Sequence, residues 1–120
     1  MNFEERFQSI LDQVEGGQAI FLMGFDGISV VSVVKPGIVV DTELMGAEVS
    51  SVVNQLRQAA FTGAFGELLE FVFSSKKAKV LIKVMTDNYF IAMVLGPDAY
   101  IGKARYLLRL SEDDLESALI

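Results

Sequence analysis

The sequence predicts an α/β fold of the α+β type. It is an α/β/α sandwich in which a five-stranded antiparallel sheet carries one long helix on one face and two helices on the other. Three observations predict it. Three stretches place apolar residues at helical spacing, five shorter ones have the runs and turn punctuation of strands, and the strands are mostly apolar on both sides. An antiparallel sheet with one wet face alternates apolar and polar positions. Here AIFLMGFDGISVVSVV, residues 19–34, is apolar at nearly every position, so helices are expected on both faces.

The elements follow in order. Asn2 with Glu5 three residues on is a capping box, and Phe3, Phe7, Ile10, Leu11 and Val14 make the stripe of a first helix that Gly16-Gly17 ends. Ala19 to Phe25 and Ile28 to Lys35 are two strands joined by Asp26-Gly27, a pair suited to a type I′ turn. After Lys35-Pro36-Gly37, Asp41 or Thr42 caps a long helix, TELMGAEVSSVVNQLRQAAFTG. Met45, Val49, Val52, Leu56, Ala59 and Gly63 recur at four- and three-residue spacing and are expected to be its seam against the sheet. Its other side is unusual. It holds Ala47, Ser50, Ser51, Asn54, Gln55 and Gln58, and Glu43, Glu48 and Arg57 are the only charges in the helix. Small and neutral polar groups suit a covered surface, because interfaces deplete charge at their centre.

A third strand, Leu68 to Ser74, turns at Ser75-Lys76-Lys77-Ala78 into a fourth with Val80, Ile82 and Val84 on one face. Asp87-Asn88 leads into a fifth, Tyr89 to Leu95. Gly96-Pro97-Asp98 precedes a third helix that buries Ile101, Ala104, Leu107 and Leu108 and exposes Lys103, Arg105 and Arg109. Ser111 and Asp114 read as one more capping box, opening a short tail helix within residues 111–120.

Composition narrows the function. The 120 residues suit a single domain, residues 1–120, with a hydrophobic fraction of 52% that points to surface hidden against a partner. With no cysteine and no histidine, thiol nucleophiles, thiolate metal sites and the usual general base are missing. A net charge of −6 argues against nucleic acid. No apolar run is long enough to insert in a membrane, and MNFEERFQ carries acids where a signal peptide carries bases, so a cytoplasmic protein is expected. Asp26, Asp41 and Asp87 have turn or cap roles, and Glu112-Asp113-Asp114 is a charge set at a helix N-terminus. Gly24-Phe25-Asp26-Gly27 joins strand to strand, whereas a phosphate cradle joins strand to helix. Neither an enzyme nor a cofactor is expected.

The early helix FEERFQSILDQV, the hairpin GGQAIFLMGFDGISVVS, the long helix, the TDNYF turn and IGKARYLLRL after the last strand together resemble the roadblock proteins, the group related to the dynein light chain of that name. The resemblance is nearest to the prokaryotic regulators of the gliding-motility and polarity GTPase, a Ras-like protein. It implies a profilin-like sandwich that homodimerises by pairing third strands across a dyad, with the long helices side by side. Leu69, Phe71, Val72 and Phe73 of the strand, and Ala47, Ser50 and Asn54 of the helix, would then form the dimer interface. Ser51, Gln55, Arg57 and Gln58 would face a small Ras-like GTPase. In the motility group the resemblance implies a regulator that inserts no arginine and instead orders the GTPase's own residues. A scaffold without effect on hydrolysis, or a small-molecule sensor, are the other functions open to such a fold. An edge strand as apolar as LLEFVFS invites aggregation unless something pairs with it, and a second copy would cover it.

Overall fold

The computed structural model describes residues 2–119, and its elements come in the expected order. They are α1 (Phe3–Gln13), β1 (Gly17–Gly24), β2 (Ser29–Val34), α2 (Thr42–Thr62), β3 (Glu70–Ser74), β4 (Lys79–Val84), β5 (Tyr89–Leu95) and α3 (Ile101–Ser117). Asn2 caps α1 by accepting the Glu5 N–H at 2.8 Å, and Asp41 caps α2 by accepting the Leu44 N–H at 3.0 Å. Each cap satisfies a backbone donor that the first helical turn leaves free.

The strands form one sheet in the order β2-β1-β5-β4-β3, antiparallel throughout. β1 and β5 lie inside it, which accounts for a first strand buried at seven of eight positions. On one face Ile20, Leu22, Leu81, Ile91 and Met93 pack with α1 and α3 through Phe7, Leu11, Ala104 and Leu108. On the other, Phe21, Met23, Ile82, Phe90 and Ala92 pack with Val49 and Val53 of α2. β1 is thus covered on both faces, whereas β2, expected to be central with it, lies at an edge of the sheet with no buried residue and Val30 57% exposed.

Four further expectations need correction. Asp26-Gly27 does not form a type I′ turn, since Gly27 alone of the pair has positive φ, at +87°. Gly24 and Ile28 bracket a three-residue loop: the Gly27 N–H donates to the Gly24 carbonyl, and the Asp26 carboxylate accepts the Ile28 N–H, each at 3.0 Å. That local bond holds Asp26 in an ordinary conformation and leaves the left-handed position to glycine. The strand expected from Leu68 starts at Glu70. The tail helix is not separate, because α3 runs unbroken through Ser111. Ser111 is buried on one stripe with Ala104, Leu108 and Leu115, and Asp114 pairs with Arg6 at 3.0 Å.

The fourth correction is the seam of α2. Its buried residues are Gly46, Val49, Ser50 and Val53, whereas Val52 and Leu56 are 43% and 36% exposed. The helix sits against the β1–β2 turn by its smallest side chains. A Cβ at Gly27 would stand 3.0 Å from both the Gly46 carbonyl oxygen and the Ser50 hydroxyl. Nothing larger than glycine and serine leaves room for that approach.

Candidate interaction surface

Both edge strands of the sheet expose apolar residues, Val30 of β2 at 57% and Phe73 of β3 at 42%. β3 pairs with β4 on one side only, so its other side is an open edge. Cross-strand partners share a face, and Phe71 and Phe73 lie opposite Ile82 and Val80, which pack with Val49 and Val53. Both phenylalanines therefore stand on the α2 face, Phe71 half-buried and Phe73 42% exposed. Val52, Leu56 and Ala59 follow at four- and three-residue spacing on the flank of α2 beside Val49, and all three are exposed. Leu69, just before β3, is 71% exposed.

The expected dimer residues divide. Leu69 and Phe73 are exposed, Phe71 and Val72 half-buried, and all four lie at the open edge. On α2, Ala47 is exposed, Ser50 faces inward under the hairpin turn, and the Asn54 amide donates to the Phe25 carbonyl at 2.9 Å. Of the expected partner-binding residues, Ser51, Gln55 and Gln58 are exposed, with Gln55 donating to the Ser51 hydroxyl at 3.3 Å. Arg57 is half-buried and stacks its guanidinium 3.8 Å over the Phe25 ring, which leans in turn on Phe90 at 5.2 Å. That stacking pins the arginine to its own chain.

Sequence reasoning missed Val52 and Leu56 as surface, and it missed Phe61 and Phe65, which are 84% and 87% exposed. It also missed an open cleft of about 990 Å³ at the end of the sheet where the β4–β5 turn lies. Residues of α2 from Asn54 to Phe61 form one wall, Gly66 to Leu69 another, and Val84 to Asp87 with Glu112 and Glu116 the rest. No local sequence signal joins these segments, because they meet only once the sheet is assembled. Among the described residues no group of acids is placed to hold a metal ion, and no helix is long and apolar enough to cross a membrane.

Comparison with known proteins decides the family. A solved structure, MglC from Myxococcus xanthus, is 33% identical, covers 98% of this chain and 99% of its own, and superposes with a TM-score of 0.71. A Roadblock/LC7 domain from Streptomyces avermitilis is 15% identical, with coverage of 99% and 98% and a TM-score of 0.85. This chain belongs to the roadblock family. A gliding protein, MglB from Thermus thermophilus, shares the roadblock fold at 12% identity, over 94% of this chain and 84% of that one, with a TM-score of 0.83. No family model and no curated protein matches the chain. The roadblock fold also orders what was found above: the open strand edge and the flank of the long helix lie on one side of the sheet.

Proposed function

We propose that this roadblock protein is a non-enzymatic, cytoplasmic homodimer that binds a small Ras-like GTPase and modulates its GTP hydrolysis. The observation that carries the reading is the set of exposed apolar residues Leu69 and Phe73 at the β3 edge and Val52 and Leu56 on α2, together with that unpaired strand edge. Two copies joined there cover an edge that would otherwise aggregate. The interface should fall near the standard size of about 1,200–2,000 Å². Kinship with MglC and a shared fold with the gliding protein MglB support the choice of partner.

The exposed residues Ser51, Gln55 and Gln58 then form a neutral shelf on the two adjacent long helices. A shelf crossing the dyad holds one asymmetric partner per dimer, since two cannot share the axis. The regulator acts without inserting an arginine. Arg57, the one arginine of α2 and so of the partner shelf, is stacked on Phe25 of its own chain. It orders the switch segments of the GTPase by differential binding, which is all that a population shift requires.

Light scattering after size exclusion, titration calorimetry against a Ras-like GTPase loaded with a non-hydrolysable GTP analogue, and hydrolysis with and without the protein test this together. A dimer, one GTPase per dimer and a changed hydrolysis rate are expected. Binding with an unchanged rate would reduce the protein to a scaffold, and a monomeric mass at all concentrations would remove the dimer.

A further inference from the structure

Past Val53 no residue of α2 is buried, yet the end of the helix is firmly placed. The Asn54 amide and the Arg57 guanidinium tie it to Phe25. At the C-terminus the Gly63 N–H donates to the Ala59 carbonyl and the Phe65 N–H to the Ala60 carbonyl, each at 2.9 Å. These bonds close the last turn and satisfy carbonyls that a helix end leaves free. They also hold Ala64 at φ +59°, the one residue with a side chain in the left-handed region among those described. A Cβ on Gly63 would stand 2.6 Å from the Phe65 ring, so the ring rests on the bare backbone of that glycine. Strain of this kind persists only where the surrounding structure enforces it, and it gathers at ligand clamps and switch regions.

What this cap displays is apolar. Phe61 and Phe65 are almost fully exposed, and from Gln58 to Gly66 the chain carries no charge. Asn54, Gln58 and Phe61 recur at i, i+4 and i+7, so Phe61 continues the exposed side of α2 that holds the neutral shelf. Leu56 lies five residues from Phe61, about 140° around the helix axis, so the flank assigned to the second copy points elsewhere. The shelf itself offers Ser51, Gln55 and Gln58, whose polar groups exchange bonds with water for bonds with a partner at little net gain. Its affinity has to come from an apolar neighbour.

Resting on the GTPase reading above, we propose that Phe61 and Phe65 are the affinity anchor of that interface, entering an apolar pocket on the Ras-like GTPase while the shelf sets its orientation. Aromatic side chains in fully desolvated pockets dominate binding energies, and the polar contacts around them chiefly exclude water. The cap places both rings before the partner arrives, which lowers the ordering cost of docking. Phe61 carries the larger share because it adjoins the shelf, and Phe65 follows just past the helix end. Both copies of a dimer have this tip, so a substitution removes it from whichever end of the shelf the single partner engages. A contact of this composition depends little on salt and has a negative heat-capacity change.

Phe61→Ala and Phe65→Ala test this without risk to the fold, since both side chains lie outside the core and alanine is the better helix former at position 61. In titration calorimetry against a Ras-like GTPase loaded with a non-hydrolysable GTP analogue, Phe61→Ala should weaken binding by about thirtyfold or more. Phe65→Ala should weaken it by about threefold to tenfold, and Gln58→Ala should stay within about threefold. Phe61→Leu, which keeps an apolar side chain, should recover part of the affinity. Light scattering should give every variant the dimer mass of the parent. Unchanged affinity in Phe61→Ala, with the parent binding, would overturn the anchor. Loss of dimer mass in Phe61→Ala would overturn it as well, by assigning the rings to the second copy. A parent chain that does not bind the GTPase would instead refute the reading on which the anchor rests.

Discussion

Gly46→Ala sets two effects of opposite sign against each other. Within a helix the change removes backbone freedom from the unfolded chain and favours folding by about 0.5–1 kcal/mol. At this position, however, the new Cβ would overlap the Gly27 carbonyl oxygen, a backbone atom that no rotamer change can move. Ordinary contact at about 3.5 Å requires α2 and the hairpin turn to part by on the order of an ångström. The buried row Val49, Ser50 and Val53 would move with the helix. Overpacking of this kind costs about 1–3 kcal/mol, which exceeds the helical gain and leaves a net loss of about 1–2 kcal/mol. For 120 residues the unfolding entropy is about 0.25 kcal/mol per kelvin, so the melting temperature should fall by roughly 4–8 °C. Thermal unfolding followed by circular dichroism, at one protein concentration for parent and variant, measures it. Gly102→Ala is the control, a glycine in the first turn of α3 with nothing within 4 Å of its added Cβ. There only the favourable term acts, and the melting temperature should rise. If Gly46→Ala melts at or above the parent, the close approach of α2 to the hairpin is not what holds this helix in phase.

Gly27→Val should lower the melting temperature while the folded fraction keeps its oligomeric state, because φ is +87° and a left-handed residue with a Cβ costs about 1–2 kcal/mol, more when branched. Ala64→Gly should raise it by recovering about the same cost, since Ala64 has φ +59° just past the end of α2. Leu56→Asp should dissociate the dimer in size-exclusion light scattering with far-ultraviolet circular dichroism unchanged, as Leu56 is outside the buried row. Arg57→Ala should leave stimulation of GTP hydrolysis intact and lower stability by about 0.5–1 kcal/mol through the lost stacking on Phe25; loss of stimulation at full occupancy would show that an arginine is inserted after all.

The sequence stated the element order and the burial of both sheet faces because these rest on local periodicity and on strands without a polar side. The interior place of β1 was legible for the same reason, whereas the equally apolar β2 lies at the edge of the sheet, which an apolar run alone does not reveal. The turn was misread because Asp-Gly fits two loop types, and the choice between them rests on the Asp26–Ile28 bond and on the packing of Gly27 under α2. Ser111 looked like a cap because its spacing to Asp114 is right, but nothing between Ile101 and Ser111 breaks a helix, and packing against α1 keeps it whole. The cleft could not be read at all, since its walls come from four separate stretches of chain.

The phase of α2 was misread for a different reason, and the error is informative. Periodicity selects the row of large apolar residues, Val52 and Leu56 among them, as the one that faces the core. The structure buries instead the adjacent row of Gly46, Val49, Ser50 and Val53, because closeness to the hairpin turn decides which row can enter. A helix serving only its own sheet would then show a polar flank outside that row. This one shows Val52, Leu56 and Ala59, on the face of the sheet that Phe73 shares. Burying a residue such as leucine or valine fully is worth about 1.5–3 kcal/mol. In the isolated chain much of that stabilisation is unrealised along the flank, and the open backbone of β3 lies beside it. A strand edge supplies direction and register without affinity of its own, whereas an apolar flank supplies affinity without register. Their adjacency is what a specific self-association needs. The row that periodicity assigned to the core is, on this reasoning, the row that a second copy covers.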